Sequence, residues 1–520
     1  MQQWIRSGRT GDGHRDLAVS LAAALLQRAA QTPQAPALEM AATTWTFHDL
    51  AERAWRAAAY LQQEASGSAP VALLLEDAGE FAAWFLGCVL AGRAALPLNL
   101  RLTSGELAQQ LADARASLLL GTIGDRRLAE LAALAPRLKV TEVPSWSSLP
   151  QPHGLAAARH ADDVADAATL AILFTSGTAG RAKGACLGWR NFQASAVAAE
   201  DRLGSVVRGR WLACMPLFHV GGLSILVRSV LFGGPVRLQP RFDAHAVSDA
   251  LDGGDIAGVS LVPTMLSRLL ACRGERAAPQ GLQVVLLGGA AAAPELLTRA
   301  LSAGYPVCPT YGLTEATSQV ATAAPPRAGA ATAMPMLPVR ATEVRILSDH
   351  GDAPPGTPGE ILVRGPTVMQ GYLHDSNATA RTLRDGWLHT GDVGYLDDYG
   401  GLHVLDRRDD LIVSGGENVY PAEIEAVLLE HPSVMDAGVA GIADPDLGAR
   451  VAAWVVVAPD ASPTAVELQQ HCRQRLAGFK QPRTYRFVDA LPRNAAGKLQ
   501  RRLLGPDYAG GPDASRTWGA

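Results

Sequence analysis

Phosphate chemistry is the first suggestion of LFTSGTAGRAKGA at 173–185. An apolar run there ends in Thr175, Ser176, Gly177, Thr178 and Gly180, followed by Arg181 and Lys183. Glycines let backbone N–H groups close on an anion, hydroxyls add donors, and the two cations add charge. A P-loop would need GxxxxGK[ST], yet Lys183 is followed by Gly184 and Ala185. A polar turn without a ligand could use the same residues. In YGLTE at 311–315, Glu315 stands beside Thr314, after Tyr311 and Gly312. A carboxylate and a hydroxyl so placed suit a magnesium–phosphate site, or an exposed loop. Asp392, in TGD at 390–392, could accept from two vicinal ribose hydroxyls or serve an ordinary turn. Lys498, in PRNAAGK, lies in a Gly-containing segment where the default for a lysine is solvent.

These residues need elements to hold them. Up to about 320 the chain alternates helical patterns, such as 81–90 and 264–271, with short apolar runs at 71–75, 117–120, 169–174, 259–262 and 284–287. Such runs suit strands buried on both faces, and the alternation predicts α/β layers with largely parallel sheets. From about 342, short alternating runs at 343–347, 360–364 and 402–405 sit between turn signals, which predicts antiparallel hairpins. Pro421 opens a helix with Glu423 and Glu425 in its first turn and Ile424, Val427 and Leu428 on one face. A strand over 451–457 follows, so 410 to about 505 reads as a small α+β domain and 506–520 as a disordered tail.

Composition narrows the class. The 520 residues are 48% hydrophobic and 18% charged, with a net charge of −4. This allows several folding units and gives no electrostatic footprint for nucleic acid. The most apolar window, 81–92, is too short to span a bilayer, and 17–26 lacks the flanks of a signal peptide. Six scattered cysteines without CxxC or metal spacing read as reduced thiols of a cytoplasmic protein.

Order and spacing say more than any cluster alone. A hydroxyl-rich loop ending in KG, then YGxTE, TGD, DRRDD and PRNAAGK resembles the adenylate-forming acyl-CoA synthetases, over about 16–502. The resemblance implies a large N-terminal domain over 1–405, with α/β subdomains to about 340 and a β-barrel-like subdomain over about 341–405. A hinge at 406–409 and a mobile C-terminal domain over 410–505 would follow. It implies ATP, Mg2+ and coenzyme A as cofactors and substrates, a small carboxylic acid as partner, and allows a homodimer. The Thr175–Lys183 loop would hold the β- and γ-phosphates, Glu315 the metal and Thr314 the α-phosphate. Tyr311 would stack on adenine beside Gly312 and the Gly288–Gly289–Ala290 turn, and Asp392 and Arg407 would bind ribose. Lys498 would bridge carboxylate and α-phosphate, Asp409 would be the hinge, and Gly415 and Gly416 would line the pantetheine tunnel. Two anions must meet in such a reaction, so cations have to offset their repulsion.

The acid is addressed by MPLFHVGGLSILVRSVLFGG at 215–234. His219 matches the aromatic–His motif that the family places at the acyl pocket. Arg228, nine residues on, sits in a helical run that is otherwise apolar apart from Ser224 and Ser229. A buried Arg needs an anionic partner, either a structural carboxylate or a second carboxylate on the substrate. With 311–322 and SGGENVYPAEIE, the segment resembles the 2-succinylbenzoate–CoA ligases of menaquinone and phylloquinone biosynthesis. Ser318 and Gln319 would then touch substrate. Gly221 stands where some of those ligases carry a hydroxyl, and Arg181-Ala182 replaces a frequent Lys-Pro. Medium- or long-chain fatty acyl-CoA or aryl acyl-CoA synthetases, a non-catalytic nucleotide-binding homologue, and an adenylating domain serving a carrier protein are the competing readings.

Overall fold

The computed structural model describes residues 19–519 apart from 65–66, 151–167, 176–181, 291, 327–333, 408–409, 411, 415–416, 445–446, 477, 494–498 and 509–516. Three sheets make up the large N-terminal domain. One has seven strands, in the order Gly371–Tyr372, Lys183–Gly188, Thr169–Thr175, Ala95–Pro97, Val71–Leu74, Leu118–Gly121 and Lys139–Glu142. Its last five are mutually parallel, and Lys183–Gly188 turns back antiparallel on Thr169–Thr175. The second has nine strands, with a parallel centre that includes Trp211–Ala213, Val236–Leu238, Gly258–Leu261, Val284–Leu287 and Val307–Leu313.

The physical cause is the one the apolar runs predict. Val71–Leu74, Leu118–Gly121, Gly258–Leu261 and Val284–Leu287 are buried at every position, as strands covered by helices on both faces must be. Helices Ala78–Leu90 and Val220–Phe232 are buried nearly all round. They lie within the largest core cluster, which also takes in Trp84, Phe85, Phe192 and Leu226.

From Glu343 onward the strands form a third, six-stranded sheet that is antiparallel. Glu343–Ser348, Gly359–Arg364, Trp387–Leu396 and Leu402–Arg407 pair in succession, with bulges on two of the pairings. Bulges increase local twist and curl a sheet. The smaller α+β domain has its own six-stranded sheet, centred on Val434–Asp444 and Gly448–Val457. It packs beneath helices Pro421–Leu429 and Ala465–Arg473 around Ile424, Leu428 and Leu468. One expectation differs at the C-terminus. Within the stretch expected to be disordered, Thr517–Gly519 pairs antiparallel with Thr484–Phe487. That strand would otherwise present an edge of unpaired backbone groups, a ready template for one more strand.

Candidate active site

The candidate site is built at the carboxyl ends of the parallel strands, where open α/β sheets bind ligands. Val284–Leu287 runs into Gly288, Gly289 and Ala290, and Val307–Leu313 runs through Tyr311 and Gly312 into a tight turn over Thr314–Ala316. Gly289 has φ +83 and faces solvent, a conformation that favours glycine. At Gly312 a Cβ would collide with the Ser318 carbonyl oxygen, so only glycine lets the two strands of this hairpin close.

The turn after Glu315 is strained. Thr317 has φ 49 and Ser318 φ 88, both left-handed, although Thr317 is β-branched. Two bonds hold the Thr317 backbone and side chain. Ser195 Oγ donates to its carbonyl at 2.7 Å, and its own Oγ1 donates to the Thr367 carbonyl at 2.7 Å. The consequence is that Glu315 projects from a fixed backbone. Its carbonyl also accepts from the Met369 N–H at 2.8 Å.

Two tyrosines orient the two carboxylates. Tyr372 Oη donates to Glu315 Oε1 at 3.0 Å, and Tyr311 Oη donates to Asp392 Oδ2 at 2.7 Å. Tyr372 also lies beneath Lys183, whose Nζ is 5.1 Å from the ring centroid, within cation–π range. Strand Gly371–Tyr372 pairs with Lys183–Gly188, and this brings the three together. Thr175 and Lys183 face each other as Cα partners at the base of the glycine-rich loop, with Thr175 Oγ1 donating to the Lys183 carbonyl at 3.4 Å. Asp392 is 8% exposed, and its N–H donates to Thr390 Oγ1 at 3.1 Å. Arg407 ends strand Leu402–Arg407 as the Cα partner of Asp392. Ser176, Gly177, Thr178, Gly180, Asp409, Gly415, Gly416 and Lys498 lie outside the described residues.

On the acyl side, His219 caps helix Val220–Phe232, its ring 4.7 Å from that of Phe218. Its Nε2 is buried without a hydrogen-bond partner among the described residues. Burial, with Arg101 nearby, pushes its pKa down to about 4, so the imidazole is neutral at pH 7. Gln319 is buried. Its Nε2 donates to Thr322 Oγ1 at 2.8 Å while its Oε1 has no partner among the described residues.

Arg228 is 4% exposed and makes no ion pair among the described residues. Its Nη2 is buried without a partner, as is the hydroxyl of Ser224 one turn earlier. The guanidinium lies 5.0 Å from the Trp211 ring centroid, and desolvation lowers its pKa to about 10. It borders a cavity of about 10 Å3 shared with Val207, Ile225, Ser229 and Val236, room for about one water. Trp211 and Val236 begin their parallel strands, so this cavity is at the amino edge of the sheet. Arg228 is nine residues along the helix from His219, or about 13 Å at 1.5 Å per residue. Arg228 and His219 are therefore at opposite ends of this helix.

Tyr372 was missed by sequence reasoning. In MQGYLHD nothing in type or spacing marks it, and only the pairing of Gly371–Tyr372 with the loop strand brings it to Glu315.

The AMP-binding enzyme model matches residues 25–373, and the model of the AMP-binding enzyme C-terminal domain matches 423–498. The chain belongs to the AMP-binding enzymes. It is an AMP-forming acyl-CoA ligase by architecture. Among the AMP-binding enzymes it is 42% identical to the 2-succinylbenzoate–CoA ligase of Geobacillus kaustophilus over 481 residues, 92% of this chain and 96% of that one. It is 40% identical to the Bacillus velezensis enzyme of the same name over 488 residues, again 92% of this chain and 96% of that one. The o-succinylbenzoate coenzyme A synthetase of Bacillus subtilis in complex with AMP superposes with a TM-score of 0.81 at 35% identity, covering 94% of this chain and 99% of that one. ATP-bound MatB from Rhodopseudomonas palustris gives a TM-score of 0.83 at 28% identity, over 93% and 98% of the two chains. No helix among the described residues is long and apolar enough to cross a membrane.

Proposed function

We propose that this ligase converts 2-succinylbenzoate to its coenzyme A thioester in the cytoplasm, using ATP and Mg2+, as a step of menaquinone or phylloquinone biosynthesis. In the first half-reaction a substrate carboxylate oxygen bonds to the α-phosphorus and the bond to pyrophosphate breaks. In the second, the coenzyme A sulfur bonds to the acyl carbon, the bond to AMP breaks, and the thiol proton is released.

The observation that carries the substrate reading is the buried Arg228 guanidinium with no carboxylate partner among the described residues. Burying a cation unpaired costs several kcal/mol, which a second substrate carboxylate would offset. A fatty acid has no group for that place. The guanidinium is at the amino edge of the sheet, about 13 Å along the helix from His219, and its cavity has room for about one water, so the carboxylate would be met through bridging water and not by direct contact. Similarity to ligases named for the same acid supports the reading.

In this reading Glu315, oriented by Tyr372, holds magnesium together with the phosphates, and the metal supplies charge neutralisation on the triphosphate. A carboxylate with one oxygen already hydrogen-bonded, and with no cluster of three His, Cys, Asp or Glu among the described residues, fits a metal that keeps most of its shell for phosphate and water. The Thr175–Lys183 loop, with Ser176, Gly177, Thr178 and Gly180, holds the β- and γ-phosphates, and Thr314 the α-phosphate. Tyr311, Gly312 and the Gly288–Gly289–Ala290 turn take adenine, and Asp392 and Arg407 take ribose. His219, Ser318 and Gln319 face the acid. Lys498 bridges the reacting anions, delivered by rotation at Asp409, and Gly415 and Gly416 form the thiol tunnel. Pyrophosphate release with coenzyme A, compared across 2-succinylbenzoate, benzoates and fatty acids, tests the assignment. Preference for a monocarboxylate would overturn the acid while leaving the class.

A further inference from the structure

Three residues after Lys498 the chain enters the short turn Arg501–Leu503. The Arg501 guanidinium engages two carboxylates at once. Its Nε and Nη2 donate to Glu425 at 3.1 and 2.6 Å, and its Nη1 donates to Asp410 Oδ2 at 2.9 Å. Only 13% of the side chain is exposed, and the same holds for Glu425. This bidentate, partly desolvated pair belongs to the strong class of ion pair rather than to the weak surface class.

Its partners are informative. Asp410 directly follows the expected hinge at 406–409. Glu425 lies on helix Pro421–Leu429, and its Oε1 also accepts from the Val439 N–H of the central strand at 2.7 Å. The other flank of the lysine segment is tied down too. Arg493 Nη2 donates to both oxygens of Asp436, at 2.8 and 2.7 Å. Arg493 and Leu499 form an antiparallel bridge, and the Gln500 N–H donates to the Pro492 carbonyl at 2.8 Å.

We infer that Arg501 is a positioning residue for adenylation, coupling the segment that carries Lys498 to the first residue past the hinge. Rotation at the hinge would then move the Arg501–Asp410 and Arg501–Glu425 bonds together with the residues that follow Lys498 in the chain. The inference rests on the roles proposed above for Lys498 and Asp409. A purely structural pair would act differently, because loosening the C-terminal domain would weaken both half-reactions alike.

The test uses the full chain carrying Arg501→Gln, Arg501→Lys, Asp410→Asn or Lys498→Ala. Pyrophosphate release from ATP and the preferred acid is measured separately from thioester formation from supplied acyl-adenylate and coenzyme A, with thermal melts alongside. For Arg501→Gln, the adenylation kcat should fall roughly 10- to 100-fold. KM for ATP and acid should stay within about twofold, and thioester formation within about threefold. Arg501→Lys should recover part of the loss, and Asp410→Asn combined with Arg501→Gln should cost less than the product of the single effects. Unchanged adenylation in Arg501→Gln, or an equal fall in both half-reactions, would overturn the positioning role. If Lys498→Ala leaves adenylation intact, the inference falls together with the lysine assignment. If Lys498→Ala abolishes adenylation and Arg501→Gln does not, the positioning role alone falls.

Discussion

Tyr311 Oη donates to Asp392 Oδ2 at 2.7 Å, joining the end of a parallel strand to the middle of an antiparallel one 81 residues away. The bond fixes the rotamer of a carboxylate whose proposed task is to accept from two ribose hydroxyls, so that task begins with one oxygen already occupied. Tyr311→Phe keeps the ring for adenine and removes the bond. Its loss should raise KM for ATP roughly tenfold, about 1.5 kcal/mol, with a smaller change in kcat. Steady-state kinetics at saturating acid check this, and an unchanged KM would leave Asp392 oriented by other neighbours.

Tyr372 stands in the same relation to Glu315. Tyr372→Phe should shift the magnesium dependence of pyrophosphate release to higher concentration by roughly 5- to 10-fold, while keeping the ring under Lys183. Tyr372→Leu removes both contacts and should also raise KM for ATP. Titrating Mg2+ against thermal stability, in the presence of a non-hydrolysable ATP analogue, reads the same shift without turnover.

Arg228 gives a prediction on two axes. Arg228→Ala should raise KM for 2-succinylbenzoate by roughly one to two orders of magnitude, the loss of a water-bridged contact to a charged group costing about 1.5–3 kcal/mol. Because no carboxylate among the described residues is left unpaired when Arg228 is removed, Arg228→Met should melt at or above the wild-type temperature. A structural ion pair would instead lose about 3–5 kcal/mol on breaking, so a large fall in Tm with unchanged KM would assign Arg228 to the fold.

The neutral state of His219 makes stability pH-dependent. Its folded pKa of about 4 lies below the ordinary 6.5, so the unfolded chain binds the proton more readily. Stability from this group is complete above about pH 6.5 and is lost as pH falls toward 4, with an upper bound of about 3 kcal/mol. Urea unfolding at stepped pH should show this slope in the wild type and a shallower one in His219→Gln. Equal slopes would remove His219 as the source.

How far the sequence reached is clearest element by element. The buried strands at 71, 169 and 284 and the helix opening at Pro421 were legible because apolar runs, β-branched residues and a proline at the first helical position act locally. A strand at Thr517–Gly519 was not, since its pairing depends on a distant edge strand.

The sequence by itself determined the chemistry on offer. It set a hydroxyl-rich loop after an apolar strand, a carboxylate in YGLTE, an aspartate in TGD, a lysine in PRNAAGK, and a charge inside an apolar helix. Those follow from residue type and order along one chain. Tertiary structure alone decided which groups meet. It put Tyr372 between Glu315 and Lys183, Tyr311 on Asp392, and Arg501 on both Asp410 and Glu425. It also set Arg228 at the amino edge of the sheet, away from His219, because a straight helix separates residues nine apart by their rise and no periodicity says what lies at its far end.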